Sequence, residues 1–188
     1  MSRTFALLLV TLSCGCADYF GQTKENQPGD AIGKYQIVAE ADVTSSCTEI
    51  INSAPRPWRF DVTLRRESNN GFWVSGGEPI SGTIDAAGKL SFKQTIPVQV
   101  HGVDKVNGIG ECTILRTDDF TGTMAGAPTS PDGRQTFTGT LRYSYQVNPG
   151  SDCRDVVGVQ TEGRMNPLFA VLPCDARFAV TATRVADE

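Results

Sequence analysis

One histidine, His101, occurs in 188 residues. Any Ser-His-Asp or Cys-His mechanism would have to use it. It closes a strand-like stretch, Val98-Gln99-Val100-His101-Gly102, which reads as a surface or turn position. No serine sits in a Gly-x-Ser-x-Gly elbow. A Cys/His zinc site has little to draw on. Dinucleotide and phosphate-loop glycine patterns are missing, as is an Asp-rich calcium loop. The sequence therefore offers no catalytic set, no cofactor motif and no metal site. Runs of positive charge are scarce too. Seventeen Lys and Arg face 21 Asp and Glu, for a net charge of −4. Nothing clusters to grip phosphates, which argues against nucleic acid and against electrostatic docking on anionic lipid. The main apolar run, Phe5 to Leu12, is too short for a membrane helix, which needs about 20 residues.

The setting of that run is informative. Met1-Ser2-Arg3-Thr4 precedes it with one positive charge, and Ser13-Cys14-Gly15-Cys16 follows. A charged start, an apolar h-region and a small residue before a cysteine resemble the export signal and lipobox of a bacterial lipoprotein. The resemblance implies cleavage before a lipid-bearing cysteine. Cys16 after Gly15 and Cys14 after Ser13 both qualify. Cysteine parity favours Cys16: the remaining residues 47, 112, 153 and 174 are then an even set for an oxidising compartment. Residues 1–15 are read as the signal peptide, with membrane attachment through covalent acyl chains. The resemblance places the protein at the bacterial cell envelope, and the expected site is the outer membrane.

Residues 16–33 are polar and punctuated by Pro28-Gly29-Asp30, and read as a flexible tether. The rest, 34–188, is of ordinary single-domain size. Its dominant period is two. Trp58, Phe60, Val62 and Leu64 alternate with Arg59, Asp61, Thr63 and Arg65. Phe137, Gly139, Leu141, Tyr143, Tyr145 and Val147 form another apolar parity. Leu90, Phe92, Ile96, Val98 and Val100 share a third, broken by Gln94. Phe178, Val180 and Ala182 repeat the pattern near the C-terminus. One wet and one apolar face is the pattern of antiparallel sheet around a core. Asn69-Asn70-Gly71, Asp85-Ala86-Ala87-Gly88 and Ser130-Pro131-Asp132-Gly133 supply turns. The fold class is all-β, a barrel or sandwich of about 8–10 antiparallel strands. A short helical turn is expected near Asn166–Leu172, with Pro167 at its first position and Pro173 ending it.

Three segments share an apolar-polar-Gly-Thr-apolar form: Ile80–Ile84, Phe120–Met124 and Phe137–Leu141. In each, glycine falls on the apolar face. Room for a neighbouring aromatic, or a strand bend, is the preferred account; an internal ligand space is the other. Two disulfides are expected. Cys153 and Cys174 flank the loop between strands that a meander would make neighbours, so they are paired with each other. A loop of about 20 residues gives roughly 3 kcal/mol by loop entropy. Cys47–Cys112 follows by elimination.

Asp118-Asp119, and Asp152 and Asp155 around Cys153, are read as solvated turn carboxylates. Two adjacent carboxylates in a strand would point to opposite faces. Gly71-Phe72-Trp73 has the Gly-x-Trp form found near the first strand of lipocalins and avidin-like barrels, and the Thr-Gly-Thr tracts resemble strands of such barrels. The resemblance implies a barrel and assigns no binding residue. Trp58, Trp73, Tyr143 and Tyr145 are the pocket candidates. The expected function is non-enzymatic: a lipid-anchored module binding a small apolar ligand or a partner protein. The alternative is a structural or assembly role at the envelope, through an edge strand or the 148–176 loop. An enzyme ranks behind both.

Overall fold

A computed structural model describes residues 27–42, 44–125, 135–158 and 168–185. The signal, the lipobox cysteines Cys14 and Cys16 and the Ser130–Gly133 turn lie outside the described residues. The strands are β1 (Asp30–Ala41), β2 (Trp58–Glu67), β3 (Asn70–Val74), β4 (Ile80–Ile84), β5 (Lys89–His101), β6 (Cys112–Met124), β7 (Thr136–Val147) and β8 (Cys174–Arg184). One helix, α1 (Thr48–Ser53), lies between β1 and β2. Each strand pairs antiparallel with the next, and β8 returns to β1, closing an eight-stranded barrel. Of the two all-β alternatives, the barrel is the one formed.

Period-two patterning explains the elements. In β2, Val62 and Leu64 are buried between exposed or half-buried partners, and in β8 Cys174, Ala176, Phe178, Val180 and Ala182 all face the core. β1 begins at Asp30, so residues 30–33, read above as tether, belong to the barrel. Arg65 holds the incoming chain there: Nε donates to the Pro28 carbonyl at 2.9 Å and Nη2 to that of Gly29 at 2.5 Å. The first hairpin reverses at Ser68-Asn69, since Glu67 pairs with Asn70. Ser68 takes the positive φ of 58° that the turn requires, so Gly71 is left inside β3. The Asp85–Gly88 turn is as expected, with Gly88 at φ 79° and the Asp85 carboxylate accepting from Ala87 and Lys89 N–H groups. Leu168–Leu172 form no helix; Phe169 makes an isolated bridge to Val157 instead.

The two ends of the barrel differ. The end carrying Asp30 and Arg184 is joined by the tight turns at 68–69 and 85–88 and by the 125–135 connection. The other end carries the connections at 42–57, 75–79, 102–111 and 148–173, and both disulfides. These are Cys47–Cys174 and Cys112–Cys153, which corrects both expected pairings. Barrel closure is the reason for the first. It brings the chain after β1 beside β8, where Ser46 and Cys47 both donate to the Asp175 carbonyl. The second follows from residues 148–152 continuing alongside β6, with Asn148 donating to Thr113 and Asp152 to Glu111. That path delivers Cys153 to the start of β6.

Candidate functional site

Inside the barrel, two layers have different fillings. The layer towards the tight-turn end is solid. Gly71 faces Gly82 across β3–β4, and Gly122 faces Gly139 across β6–β7. The space they leave is occupied by Phe92 and Phe120, to which a Cβ on any of these glycines would come within 3.1 Å. Trp73, Phe120 and Phe137 then pack ring on ring, with centroids 4.7 Å apart for Trp73–Phe120 and 5.7 Å for Phe120–Phe137. Room for aromatics is therefore the account the structure bears out for the repeated glycines.

The layer above is hollow. β3 and β4 have only five residues each, against 10 in β2 and 13 in β5. Pairing with β3 covers Thr63–Glu67 of β2, and pairing with β4 covers Leu90–Phe92 of β5. Trp58–Val62 and Lys93–His101 thus lack a strand on that side, and the barrel wall has a notch. Behind it lies a cavity of about 480 Å³. Trp58 and Phe60 form one wall, Gln94 and Ile96 another, and Trp73, Phe92 and Phe120 the floor; Tyr143 and Leu141 stand at the back, with Ser75, Gly77 and Glu78 at the rim.

One polar group is set into this apolar interior. Alternation along β6 turns Ile114, Arg116, Asp118 and Phe120 inwards. Arg116 donates twice to Asp118, Nε to Oδ1 at 2.8 Å and Nη2 to Oδ2 at 2.9 Å. Gln94 Nε2 donates to Asp118 Oδ2 at 3.3 Å. The Arg116 guanidinium also lies over the Tyr143 ring, 5.8 Å from its centroid. Asp118 is only 6% exposed, so its assignment to a solvated turn is corrected: it lies mid-strand, paired because a lone buried carboxylate would be costly. Asp119 pairs with Arg142 in register one position on and belongs to the opposite parity, as adjacent carboxylates in a strand must. Burial pushes the Tyr143 hydroxyl far above its ordinary pKa, with Asp118 adding to the shift and Arg116 opposing it.

Three of the four expected pocket residues, Trp58, Trp73 and Tyr143, line the cavity. Tyr145 does not. It stands opposite Arg116 in the β6–β7 register, but its ring packs against Phe169 at 5.4 Å, under the 148–173 connection. Arg116, Asp118 and Gln94 were not picked out from the sequence as site residues. The available signal was parity: Gln94 interrupts an apolar stripe, and Arg116 and Asp118 share the register of Ile114 and Phe120.

His101 lies apart from the cavity. Its Nδ1 contacts the Gly102 carbonyl at 2.7 Å and its Nε2 the Asp155 carboxylate at 3.1 Å. With acceptors at both nitrogens, the protonated ring is favoured: the Gly102 carbonyl raises its pKa most, burial opposes, and the hydrogen bond and charge of Asp155, with the charge of Asp152, leave the net shift upward. Asp152 accepts from the Gly110 N–H at 2.9 Å. Asp152 holds the 148–158 segment to the 102–111 loop and Asp155 holds it to the end of β5. Among the described residues, no three His, Cys, Asp or Glu side chains converge as metal ligands, and no helix is long and apolar enough to cross a membrane. No family profile, characterised protein or solved structure matches this chain.

Proposed function

We propose that this protein is an exported, lipid-anchored binding module of the bacterial cell envelope, which holds a small, largely apolar ligand inside its barrel without chemically changing it. The observation that carries the reading is the notched cavity of about 480 Å³. Small-molecule sites span about 300–1,000 Å³, are mostly apolar, and carry a few fixed polar groups. Trp58, Trp73 and Tyr143 supply the apolar faces, and the Arg116–Asp118–Gln94 set supplies the polar ones. Export and anchoring rest on the Arg3 to Cys16 pattern, with Cys16 as the acylated residue. β1 starts at the tight-turn end, opposite the notch. Titration of delipidated protein with an uncharged fluorescent dye tests the binding step. Saturable binding that is lost in Trp58→Ala supports it; linear, non-saturable uptake refutes it.

A specific observation favours a second reading, assembly with an envelope protein. The six exposed large hydrophobic residues among those described, Val98, Val103, Val106, Val147, Leu168 and Val171, all fall at the disulfide-bearing end. The edge-strand form of this reading is weaker. The unpaired stretch of β5 contains Lys93 and Pro97, two residues that blunt strand addition.

A further inference from the structure

The charges around the cavity restrict what it can hold. Arg116 is the only base among the lining residues, whereas Asp118, which points inwards, and Glu78 at the rim are acidic. The guanidinium is moreover matched by its own carboxylate, through two hydrogen bonds of 2.8 and 2.9 Å. Arg116 is therefore not available as a counter-ion for an acidic ligand. A ligand carboxylate placed beside it would also lie close to the buried Asp118 carboxylate in a site only partly open to water, where like charges repel more than in bulk solvent. What Arg116 still offers is donors. Its Nε and Nη2 bind Asp118, and among the described residues Nη1 has no hydrogen-bond acceptor. An uncharged carbonyl is matched to that group, because it accepts a hydrogen bond and brings no charge to be neutralised.

We infer that the cavity selects uncharged ligands with a flat apolar body and a carbonyl acceptor, and excludes the corresponding carboxylates, because Asp118 holds Arg116 neutralised. This inference rests on the binding-module reading and sharpens it. Asp118 is then a specificity-determining residue that acts through Arg116. The flat body follows from the ring faces of Trp58, Trp73 and Tyr143, and the carbonyl from Arg116.

The test uses two probes of equal size, pyrenebutyric acid and its methyl ester. Energy transfer from tryptophan to pyrene reads binding directly, since the chain has two tryptophans and both line the cavity. The methyl ester is expected to bind at least about tenfold tighter than the carboxylate at neutral pH. In Asp118→Asn, Arg116 regains an uncompensated charge, so the preference is expected to narrow or invert. Glu78→Gln, at the exposed rim, is expected to change the ratio by no more than about twofold. Equal or tighter binding of the carboxylate to the wild-type protein would overturn the selectivity while leaving the binding module standing. Failure of both probes to bind would remove the binding reading and the inference with it. The wild-type comparison decides the matter even if Asp118→Asn folds poorly.

Discussion

Gly122 and Gly139 face each other across β6 and β7, and the tip of the Phe120 ring occupies the space that a side chain on either would need. A Cβ on Gly139 would stand 2.4 Å from the Thr121 carbonyl oxygen and 2.7 Å from Phe120 Cζ; on Gly122 it would stand 2.6 Å from the Thr138 carbonyl oxygen. Two of these three obstacles are backbone atoms, so the strands themselves would have to separate. Gly139→Ala is expected to cost roughly 1–3 kcal/mol, the range for overpacking a well-filled core. For a domain of this size that lowers Tm by roughly 3–10 °C. Gly102→Ala is the control: no atom comes within 4 Å of its added Cβ, and its φ is not positive. Its thermal melt should overlay the wild-type one. Equal loss in both variants would show that the close approach at Gly139 has no energetic weight.

The disulfides make a second prediction that can be read without any assay of function. Peptide mapping under non-reducing conditions should yield linked fragments containing Cys47 with Cys174 and Cys112 with Cys153. The first bond spans 127 residues and the second 41. By loop entropy these correspond to about 5 and about 4 kcal/mol respectively, in a model whose mechanism is disputed. Cys47→Ser/Cys174→Ser should therefore lower stability more than Cys112→Ser/Cys153→Ser, as measured by unfolding free energies from urea titrations with each variant's own m value. A fragment linking Cys153 to Cys174 would refute the arrangement at the top of the barrel.

The pairing error shows where sequence reasoning stops. Alternation in β2, β5, β7 and β8 is local, so Trp58, Phe92, Leu141 and Phe178 declare their face without knowledge of any partner strand. Strand order along a meander is also nearly local. Closure is not: nothing near Ala41 or Phe178 states that they will be paired with each other, yet that contact decides which cysteine meets Cys174. The notch was hidden for a related reason. It arises because β2 and β5 extend past the short β3 and β4 on either side, which no single segment shows. α1 was illegible on its own terms, since six residues are far below the length at which a helix holds itself. It exists between two fixed points, the Cys47 bond and the start of β2. Tyr145 had the correct parity for the interior, but its ring packs against Phe169, which comes from a distant connection.

Removing one partner of the interior ion pair should be worse than removing both. Asp118→Ala leaves a guanidinium that is only 36% exposed among Tyr143 and Trp58. The expected cost is roughly 1–3 kcal/mol, the penalty of an unsatisfied polar group, held below that of a fully buried charge by the partial exposure of Arg116. Arg116→Met alone strands the Asp118 carboxylate, which is 8% exposed, and should cost at least as much. The double variant Arg116→Met/Asp118→Ala should be more stable than either single one. Urea unfolding of the four proteins closes the cycle. Strict additivity would mean that the 2.8 and 2.9 Å hydrogen bonds carry no coupling.

The Tyr143 hydroxyl is expected to resist base. Burial raises its pKa, and the neighbouring Asp118 carboxylate raises it further. Tyr145 is also raised, chiefly by burial. A spectrophotometric titration of phenolate absorbance should therefore leave Tyr143 un-ionised through the range in which an exposed tyrosine titrates, near pH 10. Tyr143→Phe should remove no amplitude from that ordinary range. It should remove amplitude only at the alkaline end, together with unfolding. Loss of an ordinary step near pH 10 in Tyr143→Phe would place this hydroxyl in solvent and open the back wall of the cavity.

The loop end of the barrel should weaken on the alkaline side of neutrality through His101. The Gly102 carbonyl at Nδ1 and the Asp155 carboxylate at Nε2 both favour the protonated ring, so the folded-state pKa lies above the unfolded value near 6.5. A group raised on folding stabilises the fold fully below its unfolded pKa, and this contribution disappears as pH rises through the folded pKa. The contact between the end of β5 and the 148–158 segment is thus tighter at pH 6 than at pH 8. Imidazole proton shifts of this single histidine should titrate with a midpoint above 6.5. Amide exchange at Gly102 and around Asp155 should become faster across the same interval, after correction for intrinsic base catalysis. His101→Gln should remove that pH dependence while the cavity floor, more than one layer away at Phe120 and Phe137, keeps its protection. A midpoint below 6.5 would mean that burial outweighs both acceptors and that the Asp155 contact is not made in solution.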